Sequence, residues 1–237
     1  QTMYHNMVNA QTIGTLNNTS ATPAGVELSN GNSGPPGSGN NSTTILNAVQ
    51  WSGSHSYDTL DIRCGIQTCG SITATGSLTI TVRILVVAAG TTITANAIGG
   101  SGSGVGGSTI ASQNGYSNGG GGAGHGGSGG DGGGANANGG SSYGNSTESG
   151  SQGGSVSSSN HPTAVGGKGG GYIRIIADQI DVNGTIQSNG GNGANGQAIT
   201  GGSGAGGSGA GGGSGGTISI KANTVNVGLS GIIEAIG

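Results

Sequence analysis

The chain has 237 residues, of which 5% are charged and 3% aromatic, with no Phe and a formal net charge of −3. A conventional globular core is hard to build from such material, and Arg63, Arg83, Lys168, Arg174 and Lys221 form no patch of the kind that phosphate neutralisation needs, which argues against nucleic acid as a partner. The longest apolar run, residues 84–89, falls far short of the roughly 20 residues of a membrane helix, while 60 Gly and 4 Pro, about 27% of the chain, lie where low-complexity disorder is the default.

The chain starts at Gln1, as it would after removal of a signal peptide or after simple trimming. Residues 1–50 read as a polar arm or cap, with a turn or extended kink at Gly34-Pro35-Pro36-Gly37 and a β-prone stretch from Thr43 through Ile45 and Leu46 to Val49. From Trp51 onward the texture changes. Leu60, Ile62, Cys64 and Ile66 alternate with polar residues, as do Leu78, Ile80, Val82 and Ile84, at the strand period of two. Cys64 and Cys69 are the only cysteines. In a Ser/Thr/Asn-rich chain of low charge they favour one disulfide and an oxidising compartment, because the short loop between them can bring the α-carbons to about 4.4–6.8 Å. Two buried thiols are the alternative.

An internal repeat organises the rest. An ungapped shift of 93 residues lays Ile80, Val82, Ile84, Val87, Ala89, Ile93 and Ala95 on Ile173, Ile175, Ala177, Ile180, Val182, Ile186 and Ser188. A further shift of 45 lays Ile173, Ile175, Ala177, Ile180 and Val182 on Ile218, Ile220, Ala222, Val225 and Val227. With two residues inserted, Gly184-Thr185-Ile186 then meets Gly231-Ile232-Ile233. Each unit reads as a strand, a two-residue corner, a second strand, a Gly/Asn turn and a third short strand, which is one coil of an all-β parallel β-solenoid spanning residues 51–237. Residues 51–74 supply a further, divergent coil.

Two glycine-rich insertions, at 99–171 and 190–216, separate the coils and explain the unequal spacings. Their non-glycine residues tend to fall every third position, as around His125, Ser128 and Asp131. Three residues is the turn of a polyproline II helix, so the tracts are expected to pack as polyglycine II helices beside the solenoid, or else to lie on it as separate extended loops.

The run Tyr57-Asp58-Thr59-Leu60-Asp61-Ile62, then Ile84-Leu85-Val86-Val87, Thr92-Ile93-Thr94-Ala95-Asn96, a glycine tract, Tyr172-Ile173-Arg174-Ile175-Ile176-Ala177 and Asn183-Gly184-Thr185-Ile186-Gln187-Ser188-Asn189-Gly190-Gly191 resembles a recurrent type of glycine-rich surface protein found on bacteria, archaea and phage tail fibres. The resemblance covers residues 51–237. It implies an extracellular or virion-surface β-helix, in some cases an adhesive tip.

Catalytic chemistry finds little support. Asp178 with Asp181, and Asp58 with Asp61, are close carboxylate pairs of the kind β-helical lyases and hydrolases use, but Arg174 alone accompanies the first pair where a substrate-binding set is needed. The G-x-S-x-G matches around Ser128 and Ser214 are expected by chance in such composition and lack a flanking helix. No metal site and no cofactor are expected.

The sequons at Asn17, Asn18, Asn40, Asn41, Asn145 and Asn183 are no more frequent than composition predicts, though glycans there would help hydrate a nearly uncharged surface. The expected function is therefore a secreted structural subunit that associates with itself head to tail, using Ile232, Ile233, Ala235 and Ile236 of the last coil as an assembly edge and the N-terminal arm as its counterpart. The alternative is an adhesin that recognises a surface glycan or receptor protein. Tyr116, His125, Asp131 and Tyr143 are then the candidate contacts, being bulky or charged where nearly all else is Gly or Ser.

Overall fold

The computed structural model describes residues 26–30, 42–100, 102–110, 119–133, 137–143, 148–157, 163–196 and 208–237. Among these residues there is no helix. The strands in chain order are β1 (Val26–Asn30), β2 (Ser42–Ile45), β3 (Ala48–Ile62), β4 (Ser71–Val87), β5 (Thr92–Thr94), β6 (Thr109–Ile110), β7 (Val156–Ser157), β8 (Tyr172–Val182), β9 (Thr185–Gln187), β10 (Thr217–Val227) and β11 (Ile232–Glu234). Nine of them form one open, all-parallel sheet, and β6 pairs with β7 separately.

The pairing falls into three columns. In column A, residues 48–51 of β3 lie beside 71–74 of β4, which is followed by β5, β9 and β11. In column B, residues 53–57 of β3 are followed by 78–82 of β4, 173–177 of β8, 218–222 of β10 and then β1. In column C, β2 is followed by residues 59–62, 84–87, 179–182 and 224–227. The chain runs A, B, C and back to A at the next level, so each level is one layer. Between Trp51 and Gly53 the register shifts, and Gly53 adopts a φ of 74° there, a left-handed conformation that suits glycine.

Side chains facing inward from the columns form one core. Ile72, Ile93 and Ile186 stack in column A, Leu78, Ile80, Ile173, Ile175, Ile218 and Ile220 in column B, and Leu60, Leu85 and Ile180 in column C, all essentially inaccessible to water. β-Branched side chains suit this arrangement because each pleated surface packs against the layer above and below. Between columns B and C two successive residues face outward, as at Arg83-Ile84 and Asp178-Gln179, and this turns the chain through the corner. Ile84, expected to alternate inward, is therefore on the outer side, and Leu85 takes the core position.

The 45-residue shift is present as read: Ile173 pairs with Ile218 and Val182 with Val227. The 93-residue shift holds in column A, where Ile93 pairs with Ile186, but Leu78 pairs with Ile173 and Leu85 with Ile180, a shift of 95. Two extra residues sit in the turn before Thr92, where Gly90 has a φ of 79°. A slip of two preserves inward and outward facing, so alternation alone cannot detect it.

Both glycine tracts leave the stack after column A and return at column B, the link that residues 75–77 make in the uninterrupted layer. Their amides pair with period three. Gly120 and Ala123 donate to Gly209 and Gly212, Gly121 and Gly124 to Gly107 and Gly104, and Gly122 to Gly130. Ala210, Gly213 and Gly216 donate to Ala194, Gly191 and Ser188, while Gly211 and Ser214 donate to Gly154 and Ser151. A strand would distribute its amides between two neighbours in alternation; here successive residues address different neighbours in rotation. The segments lie so close that a Cβ on Gly211 would collide with the carbonyl of Gly121.

Two contrasts test this arrangement. Ile175→Asp or Ile220→Asp buries an unpaired carboxylate, is expected to cost several kcal/mol and should abolish folding, whereas Arg174→Ala and Lys221→Ala should stay within about 0.5 kcal/mol of the parent in thermal melts; equal tolerance would mean the facing is wrong. Gly211→Ala is expected to cost roughly 1–3 kcal/mol, while Gly127→Ala, whose Cβ would meet nothing within 4 Å, should be close to neutral by the same measurement.

Candidate functional site

Among the described residues, the core is incompletely covered at the two ends of the stack. At the first end, residues 48–51 and 53–57 of β3 have no strand on their outer edge among the described residues, while β2 covers column C. Trp51, His55 and Tyr57 project into this layer: the Trp51 and His55 rings stack with centroids 4.2 Å apart, and Tyr57 lies 5.8 Å from Trp51. They share a face because they stand in register with inward Ala74, Ile80 and Val82. Sequence reasoning does not single them out; the available signal is their even spacing in one strand that holds the only Trp. Val49, Trp51 and Tyr57 are partly exposed yet pack on the core.

At the last end, β1 covers column B of β10, but residues 224–227 and β11 have no outer partner among the described residues. Of the candidate assembly residues, Ile232 and Ile236 are 47% and 54% exposed, while Ile233 and Ala235 are partly buried. Ile233 and Val225 are partly buried and pack on the core. The β-prone stretch of the arm is placed too: Thr43 and Ile45 of β2 pair with Leu60 and Ile62 of their own chain.

The long tract brings two of its four candidate contact residues together in its interior. The His125 and Tyr143 rings meet at 4.7 Å, tilted by 59°, and His125 is only 5% exposed. Tyr143 donates its hydroxyl to the Ser149 carbonyl at 2.7 Å and accepts from Ser151 Oγ at 2.8 Å. Ser151 Oγ accepts from the Gly104 amide, and the Ser151 amide donates to Ser214 Oγ. Thr217, the first residue of β10, donates to the Glu148 carbonyl at 2.7 Å and lies 3.4 Å from His125 Nε2. This buried polar seam ties five tract segments to the strand stack. Asp131 is exposed, and one of its oxygens accepts from the Gly139 amide at 2.6 Å. Tyr116 lies outside the described residues.

Cys64 and Cys69 form a disulfide that closes the corner between columns C and A. Their α-carbons are 3.7 Å apart, closer than expected, and the two residues face each other as an antiparallel bridge at the base of a turn closed by the Gly65 amide on the Thr68 carbonyl. Three carboxylates are engaged from an adjacent layer: Asp58 accepts from Arg83 at 2.7 and 2.9 Å, Asp178 from Asn223 and Asp181 from Asn226; Asp181 also accepts from Gln179 of its own strand, and Asp61 pairs with Arg63 two residues on. Arg83 holds the Asp58 carboxyl below its usual range. Asn183 is exposed at a corner; Asn17, Asn18, Asn40, Asn41 and Asn145 lie outside the described residues. Among the described residues no three His, Cys, Asp or Glu side chains gather as metal ligands, and no helix is long and apolar enough to cross a membrane.

The seam has a pH signature. Burial pushes the His125 pKa below its ordinary value, with Glu148 and a backbone hydrogen bond to Gly215 opposing in part. The unfolded chain takes up a proton near pH 6.5 where the folded chain resists it, so stability is full above about pH 6.5 and declines as pH falls toward the lowered folded value. The thermal midpoint is expected to drop between about pH 7 and pH 5, and His125→Gln should flatten that slope; an unchanged slope would show that His125 does not carry it. No protein-family model, curated protein or solved structure matches this chain.

Proposed function

We propose that the chain is a three-sided parallel β-solenoid bearing two tracts of packed polyglycine II-type helices, and that it serves as a secreted, non-enzymatic structural subunit of an extracellular fibre or surface coat. Three registered columns traversed in the order A, B, C support the solenoid. Period-three amide pairing supports the polyglycine reading. The Cys64–Cys69 disulfide favours an oxidising, extracellular compartment. Carboxylates engaged by neighbouring side chains fit stabilising polar ladders better than an acid–base pair awaiting substrate.

The observation that carries the subunit reading is that, among the described residues, partly buried apolar side chains lie at both ends of the core with no strand beyond them: Val49, Trp51 and Tyr57 at one, Val225 and Ile233 at the other. Apolar side chains and open strand edges of this kind bury more surface when another molecule adds to them. A second reading, an adhesin for a glycan or receptor protein, draws on exposed Asp131, Val105 and Val165 along the tracts, presented on a scaffold stiffened by the seam.

Light scattering and negative-stain microscopy of the intact protein separate these readings. Concentration-dependent growth into uniform filaments is the expected result. A strictly monomeric particle at native concentration would overturn the subunit reading, and short fibres on virions would favour the adhesin.

A further inference from the structure

Column A holds residues 48–51, 71–74, β5, β9 and β11; column B holds 53–57, 78–82, 173–177, 218–222 and β1; column C holds β2, 59–62, 84–87, 179–182 and 224–227. Every column has five strands among the described residues. They are staggered, however. Column C has its extra strand, β2, at the first end, and column B has its extra strand, β1, at the last. The last end thus has columns A and B one strand taller than column C, and the first end has column C one strand taller than the other two.

We infer that the two ends are mating surfaces for second copies of this chain, joined so that all three columns continue without gap or overlap. Resting on the subunit reading above, the inference specifies its joint. β2 of the next copy fills the step above residues 224–227, its residues 48–51 settle on β11, and its residues 53–57 settle on β1. The layer at the joint is then complete, with column A and column B from one copy and column C from the next.

Register carries through the columns and names the contacts. Ala48, Ser71, Thr92, Thr185 and Ile232 stand in one row, so the next Ala48 falls on Ile232, Val49 on Ile233 and Gln50 on Glu234. In column C, Ser42, Thr59, Ile84, Gln179 and Thr224 stand in one row, so the next Ser42 falls on Thr224, Thr43 on Val225, Thr44 on Asn226 and Ile45 on Val227. The half-covered Val49 and Ile233 meet each other. Continuing column A by one residue sets the bulky Trp51 over Ala235, large against small. Glu234 meets Gln50 and Asn226 meets Thr44, so no charge is placed on a like charge. Neighbouring strands lie about 4.8 Å apart, so five strands give an axial rise of about 24 Å per copy.

The full-length double variant Ser42→Cys/Thr224→Cys tests this joint. Both positions are exposed, and within one chain they lie four strand spacings apart, about 19 Å, too far to bond. After mild oxidation a non-reducing gel should show a ladder of covalent multimers that either single variant lacks. Gln50→Cys/Glu234→Cys should give the same ladder through column A, and Ser42→Cys/Glu234→Cys, which mixes columns, should not. If light scattering shows assembly while neither matched pair gives a ladder, or the mixed pair gives one equally, this joint is wrong and the subunit reading stands. Monomers at every concentration would remove both.

Discussion

Backbone amides taken out of water must find partners, and in a chain with 60 glycines they far outnumber the side chains able to assist. The structure satisfies them in two geometries. In the strand stack, amides pair between parallel neighbours while alternate side chains fill an Ile/Val/Leu core. In the tracts, amides turn to successive neighbours every third residue, and the absence of side chains lets the backbones approach. The first geometry gains from apolar burial as well as hydrogen bonds. The second gains almost solely from backbone pairing and close packing, which must offset the large ordering entropy of glycine.

These two systems support one another. The tracts leave and rejoin the stack at the same edge, so each is held at both ends by a registered strand. The seam of His125, Tyr143, Ser151, Ser214 and Thr217 places two of the few aromatic rings, with hydroxyl side chains, where tract segments and β10 converge. Buried hydroxyls that bond one another and backbone carbonyls specify which segments lie side by side, something glycine alone cannot do because every glycine offers the same surface. The functional proposal rests on the ends of the stack, where the layered geometry that builds the interior is interrupted.

Much of the stack was legible from alternation. Ile173, Ile175, Ile218 and Ile220 face inward as the period of two requires, and the 45-residue register of β8 on β10 follows from matching residue by residue. The 93-residue register was legible only for β5 on β9. A two-residue difference in turn length leaves parity unchanged, so Leu78 rather than Ile80 meets Ile173. Ile84 shows the same limit, since the corner breaks alternation at a place that hydrophobicity does not mark.

The sequence by itself determined the all-β class, the inward rows of β8 and β10, the position of the disulfide and the three-residue texture of the tracts. Each of these depends on neighbours within a few residues or on a repeat that can be counted. Only the tertiary structure decided that His125 and Tyr143 face each other inside the tract, that Trp51, His55 and Tyr57 form one layer, and that Val26–Asn30 pairs at the opposite end of the stack from Ser42–Ile45. The reason is physical: local periodicity states which way a side chain points, whereas the partner it meets depends on where segments far apart in the chain are brought into register.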